Sequence, residues 1–195
     1  VYNGSELEGV LGNDLYTVTD GKATLAGEHT ATVTLVDTDN YEWAEEFNGK
    51  VAWTITKATY DMSSVKFENV TVTYDGAEHE VVINGTLPEG VTVAYITNKG
   101  TVVGTYNAVA TFTYDTANYN TIADMNAVLT INKAKVELPE ATTSFVYDGT
   151  AKVAVAAHDL YTVTEGSATN AGSYEAVVTL KDAVNYEWAQ EFNGK

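Results

Sequence analysis

The chain of 195 residues carries 27 acidic side chains against 10 basic ones, a net charge of −17, and every basic residue is Lys. That acidity, without a single Arg, leaves no basic footprint for nucleic acid or for an anionic membrane surface. The lack of Cys excludes disulfide, zinc-ribbon and redox-thiol frameworks, and no apolar run approaches the roughly 20 residues of a membrane span.

In chain order, the first 58 residues open on a turn, Tyr2-Asn3-Gly4. After Gly27 the chain alternates, with His29, Ala31, Val33 and Leu35 on one face, which predicts a half-buried strand. Asp37-x-Asp39-Asn40 groups hard oxygen ligands of the kind that suit Ca²⁺; a polar loop is the competing reading. Tyr41–Phe47 also has two readings. Trp43 and Phe47 stand four apart behind Asn40, a possible helix cap, but Asn48-Gly49 between aromatic-rich runs favours a hairpin. Val51, Trp53 and Ile55 then predict a last strand, ending in Thr56-Lys57-Ala58.

Residues 59–134 give the fullest pattern. Val65–Tyr74 predicts a first strand, broken by Asp75-Gly76. Glu80–Ile83 predicts a second, and Val91, Val93 and Tyr95 a third. After Gly104 come Tyr106, Ala108, Ala110 and Phe112, and then a last strand with Ala127, Leu129 and Ile131. In residues 135–195, Tyr147-Asp148-Gly149 is the turn and Tyr174, Ala176, Val178 and Leu180 follow Gly172. No segment has a convincing helical period, so the expected class is all-β.

These stretches are copies of one another. Tyr-Asx-Gly recurs at 2, 74 and 147, Gly-x-aromatic at 27, 104 and 172, and Asn-Tyr at 40, 118 and 185. Val1–Lys50 matches Val146–Lys195 at 30 of 50 positions without a gap. Such a period marks an array of small modules: 1–58, lacking its first strand; 59–134, complete; and 135–195, lacking its last. The expectation is a piece of a longer protein, with strand complementation by other molecules as the sharper alternative. The joints, Ile55–Tyr60 and Ile131–Val136, have no Gly/Ser or Pro tract, which predicts a semi-rigid elongated rod. A one-residue slip would exchange the faces of every strand, so agreement between copies fixes the core side.

Candidate chemistry is sparse. His29, His79 and His158 fall in unrelated slots apart from His29, which replaces the repeated Tyr, and no nucleophile–base arrangement recurs. The reading is a non-enzyme without cofactor, metal or catalytic residues. Trp43 and Trp188, with Tyr41 and Tyr186 two residues before them, are candidates for stacking on sugar rings; plugging a module end is the alternative. Lys66 and Asn132 are placed for an isopeptide cross-link in residues 59–134, which the first copy would not share. Tyr74, Gly76, Gly104, Tyr106, Tyr119, Tyr147, Gly149, Gly172 and Tyr174 are read as structural repeat positions, serving turns and core edges.

The Tyr-Asp-Gly turn, the Val103-Gly104-Thr105-Tyr106 and Ala171-Gly172-Ser173-Tyr174 steps, the Asn-Tyr pair and Leu129–Ala134 together resemble the MBG-type and YDG-type repeats of large bacterial surface proteins. The resemblance implies a secreted or cell-wall-attached stalk or adhesin segment, whose partners are neighbouring repeats and a host glycan or protein. The Gly-x-Tyr strand also resembles that of Ig-like sandwiches, where a Tyr closes a corner. Ig-like modules are therefore the first architecture, and β-grasp-like modules with a short helix at Tyr41–Phe47 the second.

Overall fold

The computed structural model describes residues 1–195 and is all-β, without a helix. Its strands are β1 (Leu7–Glu8), β2 (Tyr16–Thr19), β3 (Lys22–Ala23), β4 (Gly27–Leu35) and β5 (Lys50–Ile55); then β6 (Val70–Thr73), β7 (His79–Glu80), β8 (Thr92–Ile96), β9 (Lys99–Gly100), β10 (Gly104–Thr113) and β11 (Met125–Asn132); and finally β12 (Ala134–Val136), β13 (Lys152–Val153), β14 (Tyr161–Thr164), β15 (Ser167–Ala168), β16 (Val177–Leu180) and β17 (Tyr186–Trp188). The larger sheets have orders β2-β4-β5 and β6-β11-β10-β8; the others are the pairs β1-β3, β7-β9, β12-β17, β13-β15 and β14-β16. Two compact units result. One comprises Val1–Lys66, Asn84–Ala94 and Ala110–Met125, and the other Phe67–Ile83, Tyr95–Val109 and Asn126–Lys195.

In the first unit β4 is the central strand. β2 pairs with its second half, Thr32–Leu35, and β5 with Gly27–Thr32, both antiparallel. Its pleat puts Ala31 and Val33 in the core with Ile55 of β5, while Thr30 and Thr34 face out. Trp53 of β5 lies over Gly9, where an added Cβ would sit 2.0 Å from the ring. A glycine is therefore what admits the indole.

The second unit has two cores. One gathers Val81, Ala108, Ala127, Leu129 and Ile131, covered by Phe67, Val72, Tyr74 and Tyr106. Here β6 runs parallel to β11, with Val70 opposite Leu129 and Val72 opposite Ile131. The other core gathers Val136, Val155, Tyr161 and Val178 under Trp188 and Phe192.

Several strands are shorter than their alternation predicts. Within Val65–Tyr74 only Val70–Thr73 forms a ladder, because Val65 donates to the Met62 carbonyl and Lys66 makes an isolated bridge with Asn84. Tyr41–Phe47 is neither helix nor hairpin strand. Gly49, at φ +74°, turns its carbonyl to the Val33 amide, so β5 pairs with β4 alone. The segment is held instead by its rings: Trp43 meets Phe47 edge-on at 4.8 Å and Tyr16 at 5.9 Å. The helix of a β-grasp-like module is absent there.

Candidate functional site

The repeated residues converge on a joint between consecutive sequence copies, and the joint is built twice. Its first half is a four-residue turn. Asp115 accepts the Ala117 and Asn118 amides on Oδ1 and the Asn118 side-chain amide on Oδ2, at 2.7 Å. Asp182 holds Asn185 in the same way, at 2.8 Å. Each carboxyl is held below the usual carboxylate range, chiefly by the hydrogen bond from its Asn side chain.

That grip aims the Asn oxygen at the preceding copy. Asn118 Oδ1 accepts the Ala26 N–H at 2.8 Å, and Asn185 Oδ1 accepts the Val103 N–H at 2.9 Å. Ala26 and Val103 are the residues just before Gly27 and Gly104. Both asparagines are buried, at 5% and 8% exposure. In each joint the Asn carbonyl also takes the amide of the linker Ala: Ala58 N–H at 2.9 Å and Ala134 N–H at 3.0 Å. The linker thereby runs parallel to the Asn-Tyr segment, as an isolated bridge between Ala58 and Tyr119 and as the β12–β17 ladder.

The Tyr of each Asn-Tyr pair meets the Tyr of the preceding copy's turn. Tyr2 and Tyr119 lie edge-on at 5.4 Å and 77°, and Tyr74 and Tyr186 at 5.4 Å and 86°. Linker Lys57 donates to the Thr116 carbonyl, and Lys133 to that of Ala183. The joints differ beside these contacts: Thr59 accepts from the Asn120 amide, whereas Lys135 pairs with Glu187. In the first joint Tyr60 also stacks on Tyr119 at 3.8 Å, and desolvation there pushes its hydroxyl up.

The Gly-x-aromatic step has its own device. Tyr106 donates its hydroxyl to the Val102 carbonyl, and Tyr174 donates to that of Asn170. His29 puts Nε2 3.0 Å from the Leu25 carbonyl, so it keeps the same bond four residues back as a donor tautomer.

The stacking candidates lie against other rings of the chain. Trp188 packs on Tyr161 and Phe192, Tyr186 on Tyr74, and Trp43 on Tyr16 and Phe47, while Tyr41 is half exposed. Asp37 spends both oxygens on its own turn, on the Asp39 and Asn40 amides and the Asn40 side chain. His79 contacts Asp75, and His158 lies flat on Tyr161. Gly76 and Gly149 sit at φ +81° in their turns, a conformation open to glycine. The Asn-to-amide bond across the joint was missed at the sequence level, although the recurrence of Lys-Ala and Asn-Tyr was a signal for it.

Comparison with family models, curated proteins and solved structures returns no match.

Proposed function

We propose that this chain is a structural spacer from a bacterial extracellular surface protein, made of Ig-like modules in series that hold a distal domain away from the cell. The observation that carries the reading is the joint, repeated with the same Asp, Asn, Tyr, Lys and Ala atoms in both places. A catalytic or ligand site needs one good copy, whereas a spacer needs every joint fixed. The Ig-like part is supported by two features. The first strand of the middle copy runs parallel to its last, and a Tyr hydroxyl bonds to backbone just upstream. The extracellular part rests on the resemblance to surface-protein repeats.

The cysteine-free chain permits a direct test. Spin labels on Cys introduced at Thr17 and Thr162, both exposed strand positions, report a distance distribution by pulsed electron resonance. The expected result is one narrow distribution that broadens in the Asn118→Ala/Asn185→Ala variant. A parent distribution as broad as that of the variant would overturn the spacer reading.

A further inference from the structure

The first and last strands of the middle copy, β6 and β11, are neighbours and run parallel, with Val70 opposite Leu129 and Thr73 opposite Asn132. The pairing is stitched beyond both of its ends. Before the first pair, Asn69 Oδ1 accepts the Val128 amide at 2.8 Å. After the last, the Tyr74 amide donates to the Asn132 carbonyl at 2.8 Å. On its other side β11 is paired with β10, so it is held along both edges.

Tension along the backbone reaches this copy at the N-terminal end of β6 and leaves it at the C-terminal end of β11. In a parallel pair those two pulls run in opposite directions along one axis. The ladder is therefore loaded in shear, and its slanted, evenly spaced hydrogen bonds carry the load together. Strands drawn apart from one end would instead yield one bond at a time. Sliding gives no partial relief either. Val70 and Val72 pack on the Leu129–Ile131 core, while Thr71 and Thr73 are exposed. A slip of one residue would put the threonines on that core and the valines in water.

We infer that the middle copy is a load-bearing module whose mechanical clamp is the β6–β11 pair, stitched from Asn69 to Tyr74. The clamp is distinct from the lock at the joint. Asn185 takes the amides of Val103 and Ala134, and neither residue belongs to the β6–β11 ladder. The role of bearing load rests on the spacer reading, whereas the dependence of strength on pulling direction follows from the strand geometry alone.

The test pulls the intact 195-residue protein in optical tweezers between two introduced cysteines, which are unique because the chain has none of its own. Glu68→Cys with Asn132→Cys attaches to opposite ends of the pair and loads it in shear. Glu68→Cys with Asn126→Cys attaches to the N-terminal ends of both strands and opens the pair from one end. All three positions are exposed, and the two attachments enclose similar lengths of chain. At one loading rate the shear arrangement is expected to rupture at about fourfold higher force, since four residue pairs yield together instead of in turn. Asn185→Ala is expected to leave that force unchanged, because the joint lies outside the clamp. A shear force no higher than the one-end force, or one that falls in Asn185→Ala, would overturn the proposal. Equal forces beside a narrow spin-label distance distribution sink the clamp and leave the spacer reading standing. A direction-dependent force beside a broad distribution supports the clamp and removes the spacer reading.

Discussion

Replacing Asn185 with Ala separates the joint from the turn that presents it. The substitution removes the Asn185 amide bond to Asp182 and the Oδ1 acceptor of the Val103 N–H. Asn40→Ala is the internal reference, because Asn40 makes the same bonds to Asp37 but is exposed and accepts no amide from another copy. The difference between the two is therefore the cross-joint bond, and an amide left unsatisfied in a part-buried place costs about 1–3 kcal/mol. Because the chain forms two compact units, a single unfolding midpoint is a poor measure; amide hydrogen exchange reads the joint directly. Val103 and Ala134 are expected to lose about five- to 150-fold of their protection in Asn185→Ala. Val18 and Val33, in the β2-β4-β5 sheet, are expected to keep theirs. Unchanged exchange at Val103 in Asn185→Ala, or an equal loss in Asn40→Ala, would refute the assignment of Asn185 as a lock.

Gly9→Ala is expected to destabilise the first unit, since the new Cβ would meet the body of the Trp53 ring at 2.0 and 2.2 Å. Overpacking of this kind costs about 1–3 kcal/mol; thermal unfolding should show a loss in Gly9→Ala that the Trp53→Leu background relieves, and no such relief would count against the contact. The joints should also weaken in acid. Asp115 and Asp182 have carboxyls depressed by their Asn partners, so their contribution is present above the unfolded carboxylate range near ~3.9 and is lost as pH falls through the folded values. Side-chain amide resonances of Asn118 and Asn185 should move only below about pH 4, and a transition centred between pH 5 and 7 would contradict the pairing.

The core faces of the strands were legible because alternation is a local property and three copies agreed on its phase. Ala31, Ala108 and Ala110 were placed inward from the sequence and are buried to within 1%. Strand lengths were less legible. Thr143–Val146 and Gly172–Ala176 have strand-like composition, yet they form no ladder without a partner, since a strand is defined by its neighbour as much as by its residues. The joint was signalled only by the recurrence of Lys-Ala and Asn-Tyr, and its bonds were not legible. Asn118 and Asn185 are polar residues next to turns, and a turn role accounts for them locally; the amides they bind lie 92 and 82 residues away. Trp43 was legible as an aromatic but not its neighbours, since Tyr16 lies 27 residues away and only the structure brings it and Phe47 against the indole.

The position of the two joint halves bears on how the number of copies can change. Each copy carries a socket, made by its Tyr-Asx-Gly turn and the amide before its Gly-x-aromatic step, and a plug, made by its Asp-x-x-Asn-Tyr turn. A duplication or deletion of one whole period therefore adds or removes one socket together with one plug, and every remaining interface stays matched. Recombination between similar copies, such as Val1–Lys50 and Val146–Lys195, can change the number of copies without a compensating mutation anywhere else in the chain.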